Sequence, residues 1–224
     1  MSEKMTSRDI ARAIVDANIY RTFWNTTRNE WPVSEQGRIC PAYCNLRTAL
    51  GNVTLRNLLQ EQLVLNIEDS FDKHGPADAI VGLVSAGVPW ASHVSDQLRL
   101  PMAYVRPTLK THGKGGVIEG QLEPGMSVHA IDDVFLTGNT VTKSSLFLAN
   151  EGVSVAGITT LLQLSNEVAE IHQLPDLALR PAPTTSLSHY ADLVDISVEQ
   201  GDMNQDQGER LKYYYGNPTS QPWD

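Results

Sequence analysis

Apolar positions along the chain change their period several times, and each change marks a predicted element. Between residues 6 and 23, Ile10, Ala13, Ile14, Ala17 and Ile19 fall at roughly helical spacing behind Thr6 or Ser7 as N-cap, which predicts an amphipathic helix. The period is lost over residues 25–37; with Trp24, Trp31 and Pro32 around it, this stretch reads as a loop or hood able to cover a site, its tryptophans serving packing. CPAYCNLR, residues 40–47, predicts a short strand with proline at its start, where a missing N–H does no harm. Helical spacing returns over residues 54–73 through Leu55, Leu58, Leu59, Leu63, Val64 and Ile67.

From there the pattern alternates. AIVGLV at 79–84 is a buried strand, turned by Ser85, Ala86, Gly87, Val88 and Pro89 into a helix over 90–98. Residues 101–105 form the next strand. The apolar run from Ser127 stops at Asp132 and Asp133, where a parallel strand reaches its carboxyl end, and a helix-like run follows over 141–150. Glu151 and Gly152 end that helix, and 153–164 is a further strand. This alternation predicts a parallel sheet with crossover helices. Beyond it, 174–185 is irregular, with Pro175, Pro181 and Pro183, and 188–200 and 206–215 read as two helices.

Composition narrows the partners. A chain of 224 residues with 41% hydrophobic content suits one α/β domain with a substantial core. A net charge of -9 argues against nucleic acid and anionic membranes, leaving a small molecule as the expected ligand. Cys40 and Cys44, at i and i+4 of one predicted strand, are too far apart for a disulfide and are read as reduced. No run of about 18 apolar residues appears, and MSEKMTSRDI has no apolar signal core, so a cytoplasmic protein is expected. The histidines show no metal-ligand spacing.

Three turns converge at the carboxyl edge of the predicted sheet. Thr137, Gly138, Asn139 and Thr140 make a turn into a helix N-terminus, a natural phosphate nest beside the two carboxylates. Ser85, Ala86 and Gly87 form a second turn. The third, residues 106–116, carries Arg106, Lys110, His112 and Lys114 among three glycines, the one concentrated basic patch in an acidic chain. Cations beside a phosphate nest suit a highly anionic substrate that loses pyrophosphate.

PMAYVRPTLKTHGKGGVIEG followed by DDVFLTGNT resembles the orotate phosphoribosyltransferase family, as do CPAYCNLR and the C-terminal SLSHYADLVDISVEQGDMNQDQGERLKYYYGNP with its final tryptophan. The resemblance runs from about Gly37 to Trp223. It implies a type I phosphoribosyltransferase-like fold: a mostly parallel sheet flanked by helices, with an N-terminal hood over 1–50, a core over 51–165 and a C-terminal extension over 166–224. It implies transfer from 5-phosphoribosyl 1-diphosphate (PRPP) to orotate, with Mg²⁺ held by the donor's oxygens and only neighboured by Asp132 and Asp133. The turn residues Asp132, Asp133, Val134, Phe135, Leu136, Thr137, Gly138, Asn139 and Thr140, with Ser85, Ala86 and Gly87, would bind PRPP. Lys110, Arg106 and His112 would act on the diphosphate, the flap being shared across a homodimer interface. Leu136 and Tyr43 would meet the base.

Several departures lie on the base side, and Asn139 stands for the usual Gly in the turn, where Asn tolerates a left-handed φ. Leu136 stands where the family usually has Ser or Thr, Glu35 and Ile39 stand where basic residues occur, and Gln163, Leu164 and Ser165 lack an Asp-Arg pair that some members carry. Two alternatives therefore stay open: transfer to a different base, and a non-catalytic PRPP-binding regulator.

Overall fold

In the computed structural model of the protein, Thr6 accepts a hydrogen bond from the Asp9 amide while the Asp9 carboxylate accepts one from Thr6. This reciprocal cap starts helix α1 (Ser7–Asp16). The structure describes residues 3–33, 37, 39–106, 118–136, 138–164, 182–217 and 222–223, with only the backbone of Asn139. The helix predicted to run to residue 23 stops at Asp16, because Asn18 takes a left-handed φ of 57° and turns the chain into strand β1 (Tyr20–Thr22). Ile19 and Tyr20 are still buried, as the pattern suggested, but from an extended segment.

β2 (Ala42–Cys44) pairs antiparallel with β1, Tyr20 facing Cys44. The strand expected over 40–47 is thus confined to three residues, and a 3-10 helix (Leu46–Gly51) follows. Cys40 precedes the strand, so the two free cysteines do not share one strand as expected. Asn52 then caps the long helix α2 (Val53–His74).

The main sheet contains β3 (Ala79–Leu83), β4 (Met102–Val105), β5 (Ile118–Glu119), β6 (Ser127–Phe135), β7 (Ser154–Gln163) and β8 (Thr184–His189), in the order β5-β4-β3-β6-β7-β8. All neighbours are parallel except β5, which runs back along β4. The connecting helices are α3 (Gly87–Leu98) and α4 (Asn139–Asn150), and α5 (Tyr190–Glu199) and α6 (Gln205–Gly216) close the chain. One face of the sheet packs Ile80, Ile131 and Leu161 against α1, α2, α3 and α5, and the other packs Val81, Ala130 and Ile158 against Val141 and Leu148 of α4. β3 is buried along its whole length, as a strand covered on both faces must be.

Three further elements differ from the sequence pattern. α3 begins at Gly87, three residues early, because Pro89 in a first turn loses no hydrogen bond. β6 continues through Asp132 and Asp133 to Phe135, since ladder pairing to β7 (Asp132 with Thr160) carries the backbone past the acids. β8 lies where the irregular segment and the first C-terminal helix were expected; residues 165–181 of that segment lie outside the described residues. Among the described residues no helix is long and apolar enough to cross a membrane.

Candidate active site

β4 and β6 flank β3 on opposite sides and run parallel to it, so the turns that follow all three strands emerge at one edge. The chain moves outward from β3 to β4, then returns to β6 on the other side. Such a reversal opens a crevice at the carboxyl ends of the strands.

Backbone contact brings the two sides of the crevice together. A Cβ on Gly87 would lie 2.1 Å from the Ile131 carbonyl oxygen and 3.1 Å from Asp132 Cα. One on Gly82 would lie 2.8 Å from Val88 Cα. The absence of both side chains lets the first turn of α3 lie directly on β3 and β6, so Ser85, Ala86 and Gly87 abut the strand that carries the acids. Ser85 is exposed, Ala86 and Gly87 are buried, and the Val84–Ser85 peptide is cis.

The helices leaving this edge lack side-chain caps. Thr6, Asn52 and Asn204 cap α1, α2 and α6, whereas α3, α4 and α5 start with no side-chain hydrogen bond to their first turn. At α4 the N-cap is Gly138, at φ 71°. Uncapped first-turn amides with the positive end of a helix dipole behind them attract anions.

Asp132 is 8% exposed, and its Oδ1 accepts from the Asp133 amide at 2.9 Å. Burial, and then the neighbouring Asp133 carboxylate, push its carboxyl well above the usual carboxylate range, with Arg47 acting weakly the other way. Asp133 is half-buried; its Oδ1 accepts from the Val134 amide at 2.8 Å and its Oδ2 lies 3.9 Å from Arg47 Nε. Arg47 reaches in from the 3-10 turn of the hood, and Cys44 lies beside the same carboxylate. Burial pushes both thiols up to about 12, which makes them poor nucleophiles at neutral pH.

The other candidates are distributed as follows. Arg106 leaves β4, pairs with Glu119 of β5 at 3.2 Å and stacks over the Tyr104 ring at 5.7 Å. Leu136, just past β6, is 38% exposed, and Phe135 is buried against the α4 side of the sheet. Val134 packs against the opposite cluster, and Thr140 is half-buried in the first turn of α4. Tyr43, 51% exposed, sits on the outer side of β2. Lys110, His112 and Thr137 lie outside the described residues. The structure thus gathers Ser85, Ala86, Gly87, Asp132, Asp133, Leu136, Gly138, Asn139 and Thr140 at one edge, with Arg106 at the neighbouring strand end.

Arg47 is not among the site residues expected from the sequence, and its only signal there is its place in CPAYCNLR. Among the described residues no group of three or more His, Cys, Asp or Glu side chains is arranged to hold a metal ion. A separate cavity of about 640 Å³, lined by Val15, Asp16, Tyr20, Arg21, Gln200 and Asp202 among others, shares none of these residues. Its Arg21 and Gln200 are already bonded, to the Asn18 carbonyl and to Asp16.

A carboxylate pair between two uncapped helix N-termini, at the reversal point of a parallel sheet, suits a phosphorylated ligand. Residues 59–174 match the pattern of the phosphoribosyl transferase domain. The chain is 31% identical over 187 residues to the orotate phosphoribosyltransferase of Bacillus subtilis (strain 168), covering 84% of this chain and 83% of that one. It is 33% identical over 180 residues to the orotate phosphoribosyltransferase of Listeria monocytogenes serotype 4b (strain F2365), covering 80% and 83%. Accordingly, the chain belongs to the orotate phosphoribosyltransferase family. Solved structures agree on the fold. The orotate phosphoribosyltransferase of Aeropyrum pernix superposes with a TM-score of 0.64 at 22% identity, covering 86% of this chain and 99% of that one. The Leishmania donovani UMP synthase gives 0.72 at 23% identity over 95% of this chain, which spans 42% of that longer protein.

Proposed function

We propose that this protein transfers the 5-phosphoribosyl group of PRPP to orotate, giving orotidine 5'-monophosphate and pyrophosphate. The observation that carries the reading is the contact of Gly87 with Ile131 and Asp132, which joins an anion-binding turn to the carboxylate pair through backbone alone. Family membership supplies the acceptor.

In this reading the α4 N-terminus, with Thr137, Gly138, Asn139 and Thr140, cradles the 5-phosphate. Asp132 and Asp133 face the ribose hydroxyls. Ser85, Ala86 and Gly87, with the α3 N-terminus, take the diphosphate. A ring nitrogen of the base bonds to C1 as the C1–O bond to diphosphate breaks with its electron pair, through an oxocarbenium-like state, and the nitrogen's proton passes to solvent. Arg106, Lys110 and His112 meet the charge that develops on the leaving group, Arg106 exchanging Glu119 for the diphosphate. Leu136 and Tyr43 border the base.

Mg²⁺ belongs to the same proposal, and the donor set fits it. Asp132 is a buried carboxyl with no ion-pair partner among the described residues, and two carboxylates without a cage suit a cation that keeps most of its shell on substrate and water. When bound there, it would offset diphosphate charge. A homodimer that shares the 106–116 flap between subunits, and a cytoplasmic setting, complete the proposal.

The test is pyrophosphate release from PRPP and Mg²⁺ with orotate, uracil, cytosine and purine bases in parallel. Orotate should be turned over fastest, and Lys110→Ala should lower kcat by roughly 10²- to 10³-fold. Faster release with any other base, or none with orotate, would sink the assignment.

A further inference from the structure

The hood has a seat outside the sheet. Phe23 N donates to the Pro41 carbonyl at 2.7 Å and Cys40 N to the Pro32 carbonyl at 3.0 Å, which draws together the two ends of the hood loop. Its two indoles, Trp24 and Trp31, meet edge to face at 5.3 Å and 78°. Trp223 completes the group, 6.4 Å from Trp24, 6.1 Å from Trp31 and 4.6 Å from Tyr214 of α6. It is 9% exposed, and Arg210 Nη1 donates to the carbonyl of its neighbour Pro222 at 3.4 Å. The buried indole N–H groups of Trp24 and Trp31 have no hydrogen-bond partner among the described residues, so ring packing holds the group together.

At the other end, the hood reaches the carboxylates. From Pro41 the chain passes through β2 into the 3-10 turn that places Arg47 3.9 Å from Asp133 Oδ2, with Cys44 alongside. The anion-binding turns sit on the sheet, within residues 59–174, whereas the hood and its tryptophan seat both lie outside that segment. Trp223, Trp24 and Trp31 pack into the same apolar core as Ile80 and Ile131 of the sheet, while the turn into α3 rests on its own backbone contact with β6.

We propose that Trp223 is a positioning residue for the acceptor half of the site, seating the hood so that Arg47 and Tyr43 face the base beside Asp133. This rests on the transfer reaction proposed above. The test compares Trp223→Ala and Trp223→Phe with wild type, varying PRPP and orotate separately. The KM for orotate should rise roughly tenfold or more in Trp223→Ala while the KM for PRPP stays within about twofold, and Trp223→Phe, which keeps a ring in the group, should recover most of the loss. Equal rises in both KM values, or no change in either, overturn the proposal.

Hydrogen exchange on the same proteins gives a reading free of the acceptor. Peptides covering residues 20–33 and 39–51 should exchange faster in Trp223→Ala while those covering β3 and β6 keep their protection. Unchanged hood exchange, or protection lost evenly across hood and sheet, overturns the seat whichever base is used. Wild-type protein that fails to turn over orotate, with the hood selectively loosened in the variant, counts against the transfer reaction and not against the seat.

Discussion

The turns after β3 and β6 and the hood that faces them meet at one crevice but are held in different ways. On the sheet side the contact is backbone on backbone: Gly87 lies against the Ile131 carbonyl, and Gly82 against Val88 Cα. On the hood side it is ring on ring, Trp24 and Trp31 against Trp223, and α1 joins β8 and α5 through Ser7 to Asp192, Ser188 to the Ser7 carbonyl, and Arg8 and Arg12 to Glu199. Backbone contacts have no rotamers, so the anion-binding turns have little freedom to adjust. Side-chain contacts can be changed residue by residue, and most of the departures from the family pattern, Glu35, Ile39 and residues 163–165, lie outside those turns. A site built this way keeps its donor geometry while its acceptor geometry remains adjustable.

The sharpest way to break this contrast is a single methyl group on each side. Gly87→Ala drives a Cβ into the Ile131 carbonyl and should cost about 3 kcal/mol in urea unfolding along with activity. Gly51→Ala, in the hood's 3-10 turn with nothing within 4 Å, should shift stability by less than about 1 kcal/mol, in the stabilising direction. Comparable losses from both would show that the hood is packed as tightly as the sheet.

Next in size is the buried acid. A carboxyl whose folded pKa lies above its unfolded value of 3.8 binds its proton more tightly in the native state. Its contribution is fully present below 3.8 and is lost as pH rises through the raised folded value. Asp132→Asn should therefore gain stability relative to wild type as pH rises from about 4 to about 8, by roughly 1–3 kcal/mol, while activity falls. Unfolding curves at several pH values check this; a difference that does not vary with pH would mean that burial leaves the carboxyl unperturbed.

The smallest effect is expected at Arg47. Its side chain is 64% exposed and its pair with Asp133 is long, so Arg47→Met should change stability by no more than about 0.5 kcal/mol in thermal unfolding. A larger loss would show the hood held by charge in place of rings.

What the sequence made legible follows this same division. The repeating strand–turn–helix units of residues 79–163 carry their signal locally: unbroken apolar strands, a glycine at each tight approach, and acids near the carboxyl end of β6. The exceptions have physical causes. β8, TTSLSH, has no apolar run because its hydroxyls bond sideways, Thr185 to Thr159 and Ser186 to Thr160 at 3.0 and 2.6 Å. β1 hid inside a helical pattern because Ile19 fits either period, and the left-handed turn at Asn18 leaves little trace in hydrophobicity. The approach of Arg47 to Asp133 and of Trp223 to Trp24 joins residues far apart in the chain, and no local pattern announces either.

That distance also bears on how the molecule forms. The bonds tying the first elements to the last, from Ser7, Arg8 and Thr22 to Asp192, Glu199 and Asp202, close stretches of 180 to 191 residues. Long closures are slow, so the β3–β6 register, set within a much shorter stretch, assembles without waiting for them. During synthesis the hood emerges early yet has no seat until Trp223 arrives. The β3–β6 register is therefore expected to form before the hood packs on Trp223.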